Sequence, residues 1–321
     1  FPAAEIMTFG TFLLALFVLA GGLSIVETSA NPFVMSLGPE KSATRRLNFA
    51  QAFNPIGSNI GVLMATLLVA PHIGSAVERA SLSEAEALAQ TSSELEKVMV
   101  PYIILGVLYA GLAIAIFFVR IPKNKRMQET DSNTVAKGVF LRLWNNRTYR
   151  FGVIAQFFNI AAQTCIWTFI PFYVQHTLGA SHETAGWWLQ LSLIFFLVMR
   201  FVMVWLMGKY DGRKLLIFMC ALGVVFTLIG VLSANVVGAV AIAALSGCIS
   251  LLFPTIYGVS LSGVGADTKF ASSGLVMAIV GGAVAPMIQG AITDATNPQI
   301  GFSFVILCFV IIGAFGLYAI K

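Results

Sequence analysis

Nine predominantly apolar stretches, at 6–33, 47–70, 98–119, 151–174, 184–207, 214–233, 236–261, 270–292 and 300–320, alternate with polar connections along the chain. At about 1.5 Å of rise per residue, each is long enough to cross a hydrocarbon core of roughly 30 Å as a helix. Helices are one of only two backbones that satisfy their own polar groups in lipid. The pattern therefore predicts an all-α integral membrane protein. Pro254 predicts a bend in the seventh stretch. Gly281, Gly282, Pro286 and Gln289 make the eighth read as a hinge.

Composition strengthens this reading. Residues are 58% hydrophobic and only 10% charged, against about 25% charged in soluble domains. A net charge of +5 would suggest nucleic acid in a soluble protein. Here the basic residues lie between apolar stretches, so they report orientation, and no nucleic-acid partner is expected. Of the 19 Lys and Arg, sixteen fall in the connections after the first, third, fifth and seventh stretches and at the C-terminal end. The other side has Arg79 and Lys97, and Arg200 lies inside the fifth stretch. The positive-inside rule makes the rich side cytoplasmic, as expected for a multi-pass protein of a bacterial inner membrane. The acidic outer connection 71–97 contains a short amphipathic pattern at 82–95, read as a surface helix.

The one linker-like stretch, 120–150, leaves three spans before it and six after. Six spans make half of a two-lobed carrier, and three make half of a half. The expected organisation is residues 1–119 as the second half of an N-lobe, 120–150 as a cytoplasmic linker and 151–321 as a C-lobe. That is nine of twelve helices, with three missing from the N-lobe.

Glu27 is the feature the other candidates surround. It sits in the cytoplasmic half of the first stretch with no Lys or Arg within ten positions. An ionised carboxylate in hydrocarbon costs about 3 kcal/mol or more, so such residues face protein or water-filled cavities and mark ion or proton pathways. The bland alternative is a protonated Glu that ties two helices together. In the second stretch Gln51, Asn54 and Ser58 fall at i, i+3 and i+7, one polar stripe on a helix face. Gly57 and Gly61 nearby form a GxxxG, which permits close helix approach. The fourth stretch repeats the polar device with Gln156, Asn159, Gln163 and Trp167. Carboxamides both donate and accept, and Trp offers a flat apolar face with one N–H, which together suit a neutral polyol. The seventh stretch adds Ser246, Ser250, Phe253, Pro254 and Tyr257 on roughly one face.

Arg200 is expected to snorkel to the cytoplasmic face or to pair with an acid there. With Asp211 and Arg213 of the loop Gly208–Lys214 it is assigned a gating or bracing role. There is no GxxxxGK[ST], HExxH, GxSxG or Cys/His cluster, so ATP-driven pumping and membrane hydrolysis have no support, and no cofactor or metal is expected. The four cysteines stand singly in apolar stretches and read as buried small hydrophobes.

The blocks Glu27-Thr28-Ser29-Ala30-Asn31-Pro32-Phe33, Leu37-Gly38-Pro39-Glu40 and Arg46-Leu47-Asn48-Phe49-Ala50-Gln51-Ala52-Phe53-Asn54 closely resemble the L-fucose:proton symporter family of the major facilitator superfamily. The resemblance continues through Ala162–Trp167, Phe253–Ile256 and Gly265–Lys269, and Gly208–Lys214 looks like the superfamily's basic loop motif. It implies two lobes of six helices and alternating access around a central sugar site. It also implies that Glu27 is the proton-linked carboxylate, that Gln51 and Asn54 contact sugar, and that Trp167 and Phe196 are aromatic neighbours of that site. Phe253 stands where a fucose carrier can have Tyr. Relatives that carry glucose or galactose often lack the acid before Ala-Asn-Pro, so Glu27-Thr28 favours L-fucose. The family's second key acid lies in a helix this chain does not contain. Symport or facilitation of another neutral hexose, and a non-transporting sugar sensor, stay open on residues alone. A monomer is expected, with sugar, proton and lipid as its partners.

Overall fold

A computed structural model describes residues 9–64, 102–118 and 138–320. Among them all regular structure is helical. In chain order the helices are α1 (Phe9–Ser36), α2 (Ala43–Gln51), α3 (Asn54–Met64), α4 (Tyr102–Phe118), α5 (Val139–Asn145), α6 (Arg147–Leu178) and α7 (His182–Leu206). They continue as α8 (Gly212–Leu232), α9 (Val236–Ile249), α10 (Leu252–Leu261), α11 (Thr268–Met277), α12 (Gly281–Ala295), α13 (Pro298–Gly301) and α14 (Ser303–Ile320). Seven spans among the described residues are long and apolar enough to cross a membrane: α1, α6, α7, α8, α9 with α10, α11 with α12, and α13 with α14. The surface pattern expected at 82–95, Arg79, Lys97 and most of the linker lie outside the described residues.

Two compact units emerge. The first holds the described residues 9–26, 57–64 and 102–118, where Phe17, Val18, Phe117 and Phe118 are widely exposed. Exposure of large apolar side chains is what a lipid-facing helix surface requires. A Cβ on Gly57 or Gly61 would meet nothing within 4 Å beyond its own stretch of helix among the described residues, so the GxxxG makes no close helix contact there.

The second unit comprises residues 27–56 and the described chain from 138 onward. Its centre is α6, which packs on α7, α9, α10, α12 and α14. Small residues set how closely these helices approach. A Cβ on Gly223 of α8 would meet the Phe309 ring of α14 at 2.7 Å, and Gly281 of α12 lies against the Phe157 backbone of α6. The core is aliphatic and aromatic, with Ile166, Ile170, Ile242, Leu245, Phe302 and Phe309 fully buried. Cys165, Cys220, Cys248 and Cys308 are buried free thiols, as the sequence pattern predicts.

Proline explains where the spans deviate. The seventh stretch is not one bent helix but two, parted at Ser250 and Leu251. Pro254 has no N–H to offer the Ser250 carbonyl, and its ring crowds that carbonyl, so the helix yields one turn upstream. In the eighth stretch a 3-10 turn, Ala278–Val280, joins α11 to α12 just before Gly281 and Gly282. The second stretch is also interrupted, at Ala52 and Phe53, between α2 and α3.

Before α6, Val139 and Leu143 of α5 are buried while Phe140 and Trp144 stack at 5.8 Å on its exposed face. Asn146 caps α6 by accepting the Tyr149 N–H at 3.0 Å. Arg142 of α5 grips Asp267, just before α11, through two parallel hydrogen bonds of 2.8 Å. Those bonds, and the charge beside them, hold the Asp267 carboxyl below its ordinary range. A depressed folded value means that the stabilisation is present above the unfolded value, near pH 4, and is lost as pH falls through the folded one. Asp267→Asn should therefore lower the thermal midpoint in detergent at neutral pH, and the gap to wild type should close in acid. A gap that persists undiminished at low pH would contradict this role.

Candidate functional site

Glu27 is half-buried on α1. The next residue, Thr28, accepts a hydrogen bond through its carbonyl from the Ser272 hydroxyl of α11 at 2.9 Å. One turn further, the buried Asn31 accepts from the Gln51 amide at 2.9 Å. Gln51 therefore meets α1 one turn after Glu27, through the Asn31 carboxamide.

Gln51 is held from its other side as well. Its backbone carbonyl accepts from Arg200 at 3.2 Å, a bond available because α2 ends at Gln51 and leaves its last carbonyls unserved. Arg200 is only 5% exposed, with its guanidinium 4.9 Å from the Phe196 ring centroid. This corrects the snorkelling expected from sequence: Arg200 turns inward to a helix end and an aromatic face. Phe196 in turn meets Trp167 edge-on, with ring centroids 5.2 Å apart. The Trp167 N–H donates to the Ser246 hydroxyl at 3.0 Å, and Ser246 and Ser192 hydroxyls share a 2.6 Å bond. Gln51, Arg200, Phe196 and Trp167 therefore form one continuous chain of contacts across α2, α7 and α6.

The remaining candidates are placed differently. Gln156 and Asn159 are fully buried, and neither carboxamide has a hydrogen-bond partner among the described residues. Buried amides are nearly always satisfied in working proteins, so these two are available to polar ligand groups. Gln163 is half-buried on the same face, whereas Asn54, the first residue of α3, is exposed. Asp211 caps α8 and binds Arg213 at 2.7 Å; Arg213 also donates to the Ala319 carbonyl at 2.9 Å, bracing the cytoplasmic ends of α8 and α14. Phe253 stacks on Tyr257 at 6.1 Å between centroids.

A cavity of about 1260 Å³ opens at the ends of the helices that carry the basic connections, lined among others by Lys41, Arg45, Asp211, Arg213 and Lys269. None of Gln51, Asn54, Asn159, Gln163, Trp167 and Phe196 lines it, so this cavity is not formed by the residues expected to contact a polyol. Its inner wall is where α2 meets α10 and α7. Asn48 donates to the Thr255 hydroxyl at 3.3 Å, and Arg45 donates to the Val204 carbonyl at 3.3 Å.

Sequence reasoning quoted Asn31 and Asn48 without giving them a role, and it missed Ser272 altogether. The hydroxyl pair around Tyr257 spans residues 15 apart and could not be seen without the fold. One signal was available: Pro32 lies four residues after Thr28, so the carbonyl beside Glu27 lacks the usual i+4 donor of its own helix.

Comparison with known proteins follows from this geometry. The model of the Major Facilitator Superfamily matches residues 152–321. The chain is 36% identical to the L-fucose-proton symporter of Haemophilus influenzae, over 100% of this chain and 77% of that protein. It is 30% identical to the glucose/galactose transporter of Brucella abortus, over 100% of this chain and 74% of that one. Among solved structures it is similar to the Major Facilitator Superfamily transporter FucP in the outward conformation, with a TM-score of 0.90 and 31% identity over 99% of this chain and 78% of that one.

The close approach of α2 to α10 depends on Gly258, where a Cβ would meet the Thr44 hydroxyl at 2.6 Å. Gly258→Val should overpack this contact at a cost of about 1–3 kcal/mol. The expected readout is a lower thermal midpoint together with faster labelling of a thiol introduced by Thr255→Cys. An unchanged midpoint and labelling rate would show that the approach is not tight in the protein.

Proposed function

The chain belongs to the Major Facilitator Superfamily, among the relatives of its L-fucose–proton symporters, and from this we propose that it carries L-fucose and a proton together across the bacterial inner membrane. It is a secondary active transporter and not an enzyme, working by alternating access. The observation that carries this reading is the 36% identity to an L-fucose-proton symporter along the whole chain. The buried polar chain from Asn31 through Gln51 and Arg200 to Trp167 supports it by supplying what a neutral sugar needs: carboxamides, an aromatic face and a nearby titratable acid.

In this reading Glu27 holds the proton. Gln51, Asn54, Asn159, Gln163, Trp167 and Phe196 contact the sugar, and Arg200, Asp211 and Arg213 brace the cytoplasmic half. Residues 1–119 contribute to the first lobe, 120–150 link the lobes and 151–321 form the second, and the carrier works as a monomer. Protonating Glu27 removes a charge that is costly to carry through a dry interior, so the loaded site can change faces. Each proton moving inward gains about 2.3 kcal/mol per 100 mV of membrane potential, which drives accumulation.

The test is external pH in de-energised cells on adding L-fucose, with galactose and glucose as comparisons. Alkalinisation with L-fucose is expected, and silence with L-fucose in cells shown to hold the protein would overturn the proposal. Glu27→Gln should keep sugar exchange yet lose proton-driven accumulation. Accumulation at the wild-type level in that variant would remove Glu27 from the coupling role.

A further inference from the structure

The short helix α5 is apolar on two sides. Val139 and Leu143, one turn apart, are buried in the cluster that holds Leu47, Tyr149, Tyr257 and Leu275. Phe140, Leu141 and Trp144 point the other way and are 76%, 63% and 54% exposed. A helix lying in water carries polar or charged residues on its outer face, whereas this one presents two stacked aromatic rings and a leucine. Its one charged residue, Arg142, is turned to Asp267. Grouped exposed apolar side chains of this kind mark an interaction surface.

Position and charge identify what covers it. A single residue, Asn146, separates α5 from α6, and α6 runs for 32 residues. That is about 48 Å of helix against roughly 30 Å of hydrocarbon, so α6 reaches beyond the hydrocarbon into the headgroup layer. Tryptophan is enriched in that layer, where its ring is half in oil and half in water. The Arg150 guanidinium lies 5.7 Å from the Trp144 ring centroid, and Arg147, three residues earlier on the same helix, is exposed like Arg150. No Asp or Glu occurs between positions 132 and 182, and Asp267, which α5 does meet, is held by Arg142. The aromatic face therefore comes with positive charge beside it. A second copy using the same surface on both subunits would set these arginines against each other.

We propose that α5 and the first turn of α6 form an interfacial site for an anionic phospholipid. Phe140, Leu141 and Trp144 enter the boundary of the acyl chains, and Arg147 and Arg150 take the phosphate and negative charge of the headgroup. Guanidinium groups match phosphate with parallel N–H donors, and basic clusters at a membrane surface attract anionic lipid. Because the opposite side of α5 carries Val139, Arg142 and Leu143, a lipid that holds this helix also steadies the start of α11 through Asp267. The site is independent of which solute is carried.

The experiment reads Trp144 fluorescence from the full chain in lipid nanodiscs, isolated as the difference between the protein and its Trp144→Phe variant. The discs are phosphatidylcholine with a small, equal mole fraction of either brominated phosphatidylglycerol or brominated phosphatidylcholine, bromine quenching only rings it touches. Both should quench Trp144, the phosphatidylglycerol about fivefold more strongly, the enrichment expected from one arginine. The pair Arg147→Gln and Arg150→Gln should level the two lipids, and added salt should narrow the gap. Equal quenching by the two lipids in the unchanged protein would overturn the proposal, as would a preference that survives loss of both arginines. Absence of quenching by either lipid would mean that protein covers this face, and would overturn it too. So would a preference abolished by inorganic phosphate but kept in sodium chloride of equal ionic strength, since the site would then take soluble phosphate.

Discussion

A backbone carbonyl that faces hydrocarbon without a donor has no water to turn to, and that constraint governs this molecule more than any side-chain contact. Helices solve it along their length, and prolines reopen it at chosen points. Pro32, Pro171, Pro254 and Pro286 all lie inside membrane-length spans. At Pro254 the answer is a break between α9 and α10, and at Pro32 it is a hydroxyl borrowed from α11. These are also the two places nearest to Glu27 and Tyr257. Backbone irregularity in a membrane protein is tolerated only where protein or water can cover it, so the same residues that interrupt helices also mark where a polar pathway runs.

Charge follows a similar economy. Most basic residues stay in the connections between spans, where they pair with acids, as Arg213 does with the neighbouring Asp211 and Arg142 with the distant Asp267. Arg200 departs from that habit. Buried beneath Phe196, it uses the unserved carbonyl at the end of α2 as its anchor. A guanidinium carries five donors in a fixed fork, which lets one residue hold a helix end while its face covers an aromatic ring. The chain from Asn31 to Trp167 runs through that anchor, which together with the Arg45 bond to the Val204 carbonyl makes the polar contact between α2 and α7.

The hydrophobic pattern by itself determined that this chain is a helical membrane protein, and it located the seven membrane-length spans among the described residues to within a few positions. It could do so because lipid removes the alternatives: a long apolar stretch can only be a helix, and basic residues report one side. Local motifs also carried the family, through Glu27–Phe33 and Arg46–Asn54, and the positions of the amide stripes. What only the tertiary structure decided was which of these polar groups meet. That Arg200 turns to Gln51 instead of the surface, that Gln51 reaches Asn31, and that Ser272 serves the carbonyl left open by Pro32 are bonds between residues 149, 20 and 244 positions apart. Sequence periodicity says which face of a helix a residue occupies. It does not say which other helix lies against that face, and in a dry interior that choice of partner decides where every unmet donor and acceptor goes.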